Sequence, residues 1–136
     1  MKAVYDKQVR KAIDNYDESL KSYPISPQRR KIKVQQLKRF LQSLSKTPTE
    51  HYPVCDKINL GQVLNNGQPV KTYLRFAHYE DESKTQWSVS FYRVSQNKVK
   101  IYRLIQSENV KESKRKTVFF TKKQINMLLE NMNEDK

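Results

Sequence analysis

Lysine, arginine and tyrosine recur at two-residue spacing in the second half of this chain. Lys71, Tyr73, Arg75 and Tyr79 form one run, Lys98, Lys100 and Tyr102 form another, and Tyr92 lies between them. Successive side chains of a β-strand point to opposite faces, so each run would set its cations and rings on one face. Such a face suits nucleic acid. Cations neutralise phosphates and release counterions, and exposed rings stack on unpaired bases for about 1–3 kcal/mol each. A solvated face of an ordinary antiparallel sheet would show the same residues, because tyrosine has high strand propensity. A second cationic cluster, Arg29-Arg30-Lys31, lies in a stretch from Ser19 to Thr49 that has no acidic residue. Cations in the first turn of a helix oppose its dipole. Phosphate binding would justify that cost, and a solvated face or a localisation signal would account for the same run.

Other chemistry finds little support. The two histidines are His51 and His78, and the one cysteine is Cys55. His51 and Cys55 are four apart, but Tyr52-Pro53 between them argues against a shared helix face, and a metal site needs about four ligands. Glu80, Asp81 and Glu82 crowd one loop, whereas a metal-dependent nuclease needs carboxylates converging from separate elements. With only Gly61 and Gly67, the chain has no glycine-rich phosphate loop. We therefore expect no catalytic residue, metal or cofactor.

Composition supports a polyanionic partner. In 136 residues there are 27 Lys+Arg against 14 Asp+Glu, a formal net charge of +13. A balance this basic points to nucleic acid, an anionic surface or an acidic protein. A single cysteine precludes an internal disulfide and suits a reducing compartment. No apolar run is long enough to span a membrane, and the first residues lack the apolar core of a signal peptide. An intracellular location, cytoplasmic or nuclear, is expected.

The elements that must position these residues follow from periodicity. Tyr5, Val9, Ile13, Tyr16 and Leu20 recur at helical spacing, predicting a helix over 3–21. Ser26-Pro27 is an N-cap followed by proline at the first helical position. A second helix should run from there to about Ser45, with Val34, Leu37, Leu41 and Leu44 on one side. The stretch 47–69 has the prolines of a linker, with an ambiguous strand or helical turn from Val54 to Leu64. Strands are predicted over 70–79, 86–94, 98–106 and 116–121. A capping pattern at Thr121–Gln124 then opens a final helix whose apolar face should cover the sheet. In the second strand Trp87, Val89 and Phe91 should point inward and Tyr92 outward. In the third, Val99, Ile101 and Ile105 should share a face, interrupted by Arg103, with Lys98, Lys100, Tyr102 and Leu104 on the other.

From Gln86 to Asn131 the order of features resembles the positive-cofactor-four family of transcriptional coactivators, through Ser88–Arg93, Asn97–Ile101 and Arg115–Glu130. Members have a twisted four-stranded antiparallel sheet followed by one helix, dimerise, and hold single-stranded DNA in a basic groove. The resemblance implies that Lys98, Lys100, Arg115 and Lys116 line that groove, with Tyr92 or Tyr102 in the stacking positions.

The expected architecture is thus α+β: a basic helical hairpin (1–46), a linker (47–69), and a four-stranded antiparallel sheet closed by a C-terminal helix (70–136). The expected function is non-enzymatic binding of single-stranded DNA or RNA, DNA ahead of RNA, with little sequence preference, by a homodimer acting in replication or transcription. The rival is a basic adaptor or inhibitor that covers an acidic or nucleic-acid-binding surface of a partner enzyme.

Overall fold

The computed structural model describes residues 2–65, 68–81, 84–95, 98–107 and 122–134. The chain opens with a short strand, β1 (Lys2–Tyr5), followed by α1 (Lys7–Leu20) and α2 (Pro27–Ser43). A 3-10 turn (Thr49–His51) leads into β2 (Val54–Asn65), β3 (Gln68–Glu80), β4 (Gln86–Ser95) and β5 (Lys98–Ser107); α3 (Lys122–Glu134) ends the described chain.

The strands form one sheet in the order β1-β5-β4-β3-β2. β2 to β5 are an antiparallel meander. β1 joins its edge parallel to β5, Lys2 opposite Lys98 and Tyr5 opposite Ile101. The architecture is mixed α and β as expected, but the sheet is not purely antiparallel. The first helix starts later than its spacing suggests because Asp6 caps it: Asp6 Oδ2 accepts the Gln8 N–H at 3.2 Å. Upstream of that cap the chain is free to pair, and the Asp6 N–H continues the ladder by donating to the Ile101 carbonyl at 2.9 Å. The Gln42 amide reaches from α2 to donate to the Ala3 carbonyl (3.1 Å) and the Tyr5 hydroxyl (2.9 Å).

α2 behaves as its sequence indicates. Ser26 caps it, accepting the Arg29 N–H at 3.1 Å, and Pro27 occupies the first turn. Within 47–69, the strand alternative holds for Val54–Leu64: β2 occupies it, and its pairing with β3 shifts register twice, between Val54 and Asn59 and between Asn59 and Gln62. Each shift breaks strict alternation, which erases the period-two signal of a strand. The strand expected over 116–121 lies outside the described residues. α3 buries Leu128 completely and leaves Met127 51% exposed.

One core joins the helices to the sheet. Val9, Ile13, Tyr16 and Leu20 of α1 and Val34, Leu37 and Leu41 of α2 pack with Ala77, Trp87, Val89, Phe91, Val99, Ile101 and Leu104. Rings make three of the joints. Tyr16 meets Trp87 edge-on at 4.9 Å, Phe40 stacks on Tyr79 at 4.6 Å, and Tyr52 meets Phe91 edge-on at 5.1 Å. On the other face Leu74, Phe76 and Tyr92 are also buried, Leu74 and Tyr92 completely. Burial thus reaches both faces of the sheet, although His78 and Ile105 of the second face stay exposed.

Register sorts the basic and aromatic positions differently from the expected single outward face. Arg75 is opposite Phe91, Ala77 opposite Val89 and Tyr79 opposite Trp87. The run Lys71, Tyr73, Arg75, Tyr79 therefore belongs to the helix-covered face. Tyr92 is opposite Lys100 on the other face. In β5 the partners jump from Arg103 (opposite Ser90) to Ile101 (opposite Phe91), leaving Tyr102 as an extra residue. This bulge switches parity, so Leu104 joins Val99 and Ile101 in the core while Ile105 is exposed, the reverse of the expected grouping.

Tyr92 thus belongs to the packing. Replacing Tyr92 with Ala should cost about 3–5 kcal/mol, the range for deleting a buried aromatic ring, read as a lower denaturant midpoint. A change within about 0.5 kcal/mol, typical of a surface site, would return Tyr92 to the outside of the sheet.

Candidate nucleic-acid interface

The sheet positions expected to touch nucleic acid do not form one surface. Tyr92 is fully buried and Tyr102 is 6% exposed, their rings 6.4 Å apart. Neither ring can stack on a base in this conformation. Lys100 lies 3.6 Å from Asp6, in an ion pair that anchors the start of α1 to β5. On the other face Arg75 donates from Nη1 to the Tyr52 carbonyl at 2.7 Å and sits 5.8 Å from the Tyr73 ring centre. Those contacts make both half-buried residues part of the joint around the 3-10 turn. Lys71 is exposed and Lys98 half-buried at the start of β5. Arg115 and Lys116 lie outside the described residues.

The first turn of α2 is different. Arg29 and Lys31 are exposed, and Arg30 pairs with Asp17 of α1 at 3.3 Å. The cationic surface continues along the helix. Its buried stripe is Val34, Leu37 and Leu41, and helical spacing places Lys31, Ile32, Gln35, Lys38 and Arg39 on the solvent side. Lys31, Lys38 and Arg39 make no ion pair among the described residues. Lys31 and Lys38 are seven residues apart, which is about 10 Å along the axis. No residue of α2 is acidic. Lys38 and Arg39 extend the interface beyond the first-turn cluster. The absence of acid through the whole helix is the sequence signal for them.

Behind α2 lies a buried polar cluster that the sequence does not announce. Lys33 points away from the solvent stripe and meets Asp81 of the β3–β4 turn at 3.4 Å, with the two side chains only 11% and 5% exposed. Asp81 also accepts the Thr85 N–H through Oδ1 at 2.9 Å. Its backbone N–H donates to the Thr85 carbonyl and its carbonyl accepts from Lys84. Lys84 closes this turn with a left-handed backbone, φ 64°. The Tyr16 hydroxyl shares the cluster. Burial, reinforced by the Asp81 charge, pushes its pKa up to about 12. Burial raises the Tyr102 hydroxyl as well, against a hydrogen bond from Gln8 that lowers it.

Beside this cluster is a cavity of about 450 Å³ bounded by the α1–α2 turn, Tyr16, Lys33, Thr85 and Gln106. Among the described residues no group of three or more His, Cys, Asp or Glu could hold a metal ion. None of the described helices is long and apolar enough to cross a membrane. Compared with known families, curated proteins and solved structures, the chain matches none.

The Tyr16 cluster predicts a pH dependence. An unfolded tyrosine loses its proton near pH 10, whereas folded Tyr16 keeps it to about 12. The raised value favours the fold fully below pH 10, and that contribution is lost as pH rises from 10 towards 12. Stability from denaturant titration should therefore fall between about pH 10 and 12, the window set by the two values. Tyr16→Phe should remove part of the fall, with Tyr102 accounting for more. An identical fall in wild type and Tyr16→Phe would place the ring outside the cluster.

Proposed function

We propose that this protein binds nucleic acid without catalysing a reaction, with the outer face of α2 contacting phosphates. The supporting observation is the solvent face of α2: Lys31, Lys38 and Arg39 on a helix with no acid, in a chain of net charge +13. Cations about 10 Å apart along a rigid rod can engage successive phosphates, and counterion release supplies affinity without regard to sequence. α1 adds exposed Lys7, Arg10 and Lys11 at its own start. The sheet contributes by holding α2 rigid, since its Tyr92 and Tyr102 rings are occupied in packing.

A second reading has an observation of its own. Ile32 is 43% exposed in the middle of the cationic face. Phosphates make no use of an isoleucine, whereas an acidic amphipathic segment of a partner protein would bury it. On that reading the protein is a basic adaptor, and Ile32→Asn would weaken partner binding while leaving oligonucleotide binding unchanged.

Anisotropy titrations of labelled single-stranded DNA, duplex DNA and single-stranded RNA against salt test the first reading. Replacing Lys31, Lys38 and Arg39 together with Gln should flatten the salt slope by about two to three, since each phosphate left without its cation removes about 0.7–0.9. An unchanged slope would remove α2 from the interface. No binding to any of the three at about 50–100 mM salt, where phosphate interactions dominate, would leave the adaptor reading.

A further inference from the structure

The cavity behind the α1–α2 turn lies one helical turn from the cationic start of α2, and phosphate binding along that helix makes no use of it. It has the composition of a base-binding pocket. Its walls include Tyr16, Leu20 and the Pro24-Ile25 turn, and the polar residues Ser19, Lys33, Thr85 and Gln106 also line it. At about 450 Å³ it falls within the size range of small-molecule sites, roughly 300–1,000 Å³. Tyr23, also on its wall, is 60% exposed. Its exposed ring is available for stacking.

We propose that this cavity captures one unstacked base of a bound single strand, while the cations at the start of α2 hold the adjoining phosphates. The inference rests on the nucleic-acid reading and adds to it a preference for single strands. A flat heteroaromatic ring needs apolar and aromatic walls and a few hydrogen-bonding groups for its edge, which this lining supplies. Position supports the same occupant. Arg29 and Arg30 precede Lys33 by four and three residues, so all three lie along one side of α2. Phosphates held at Arg29 and Arg30, where the cationic stripe begins, place a base at the cavity mouth with no acidic residue of α2 between them; the nearest acid is Asp17 of α1, which pairs with Arg30. The inner wall is set before any ligand arrives: Asp81 fixes Lys33 at 3.4 Å and Thr85 at 2.9 Å. A base in duplex would first have to leave its stack, at a cost of a few kcal/mol.

The test uses the full chain and two labelled probes, a mixed-sequence single-stranded DNA and the same backbone made abasic. Wild type should bind the intact strand about tenfold more tightly than the abasic one, as expected for one stacked base. Ser19→Trp places an indole over the cavity from an exposed helical position, and Gln106→Trp does so from an exposed position on β5. Each should abolish the discrimination and leave the salt slope unchanged. The Lys31, Lys38, Arg39 triple variant should weaken both probes alike. Equal binding of the two probes by wild type would overturn base capture and leave the phosphate reading standing. Absence of binding to both would overturn the two together. Retained discrimination in both tryptophan variants, folded by circular dichroism, would also overturn base capture. If neither variant folds, Tyr23→Ala decides: its exposed ring can be removed without disturbing the core, and undiminished discrimination would count against the cavity.

Discussion

A buried carboxylate ties the first two helices to the sheet. Asp81 lies in the turn between β3 and β4, yet it touches both helices, through Lys33 of α2 and the Tyr16 hydroxyl of α1. It also closes its own turn through Thr85. The attraction of a buried ion pair is offset by the desolvation of both charges, so its net contribution to stability is small. Its effect on geometry is larger, because losing one partner strands the other in a place without water. The apolar stripe Val34, Leu37 and Leu41 sets the rotation of α2, and the Lys33–Asp81 pair reinforces it. With that side turned inward, Lys31, Lys38 and Arg39 occupy the solvent side.

The sheet imposes the second constraint. A half-solvated antiparallel sheet leaves one face for binding, whereas a sheet covered on both faces leaves only its rims and what packs on it. Here Val89 and Phe91 are buried on one face and Leu74 and Tyr92 on the other. The rings that would have been a stacking platform fill space instead. Affinity for a polyanion then falls to the helical layer, where long cationic side chains can stay in water while their helix is held from below.

The sequence made α2 fully legible, because its proline, its serine cap and its three- and four-residue spacing all agree. β4 was equally clear, with Trp87, Val89 and Phe91 at strict alternation. Three features were hidden for physical reasons. β1 is four residues long and runs into a helix at Tyr5, whose side chain satisfies both periods. β2 carries register shifts that scramble alternation. The faces of β3 were half legible: Thr72, Leu74 and Phe76 are buried, as an apolar set should be, but the alternate set of Lys71, Tyr73, Arg75 and Ala77 lies on the face that carries the helices. In a sheet buried on both faces, alternation does not separate an inside from an outside. The α2 cluster was visible as Arg29, Arg30 and Lys31. The Tyr16–Lys33–Asp81 cluster was not, because it joins residues far apart in the chain and each of the three has an ordinary surface explanation.

The Gln42 amide has a consequence for how copies of this chain can meet. Asp6 pairs toward β5, so by alternation Ala3 and Tyr5 turn their backbone groups to the outer side of β1. The Ala3 carbonyl, which could otherwise template a further strand, is occupied by Gln42 from α2. A second molecule adding in register on that side would first have to displace a helix. Fibrillar growth by strand addition needs two available edges, one to receive and one to offer. With the β1 edge shielded at Ala3, β2 is the other edge of the sheet formed by the described residues. Two molecules joined along β2 would present a shielded β1 edge at each end, which disfavours growth beyond the pair.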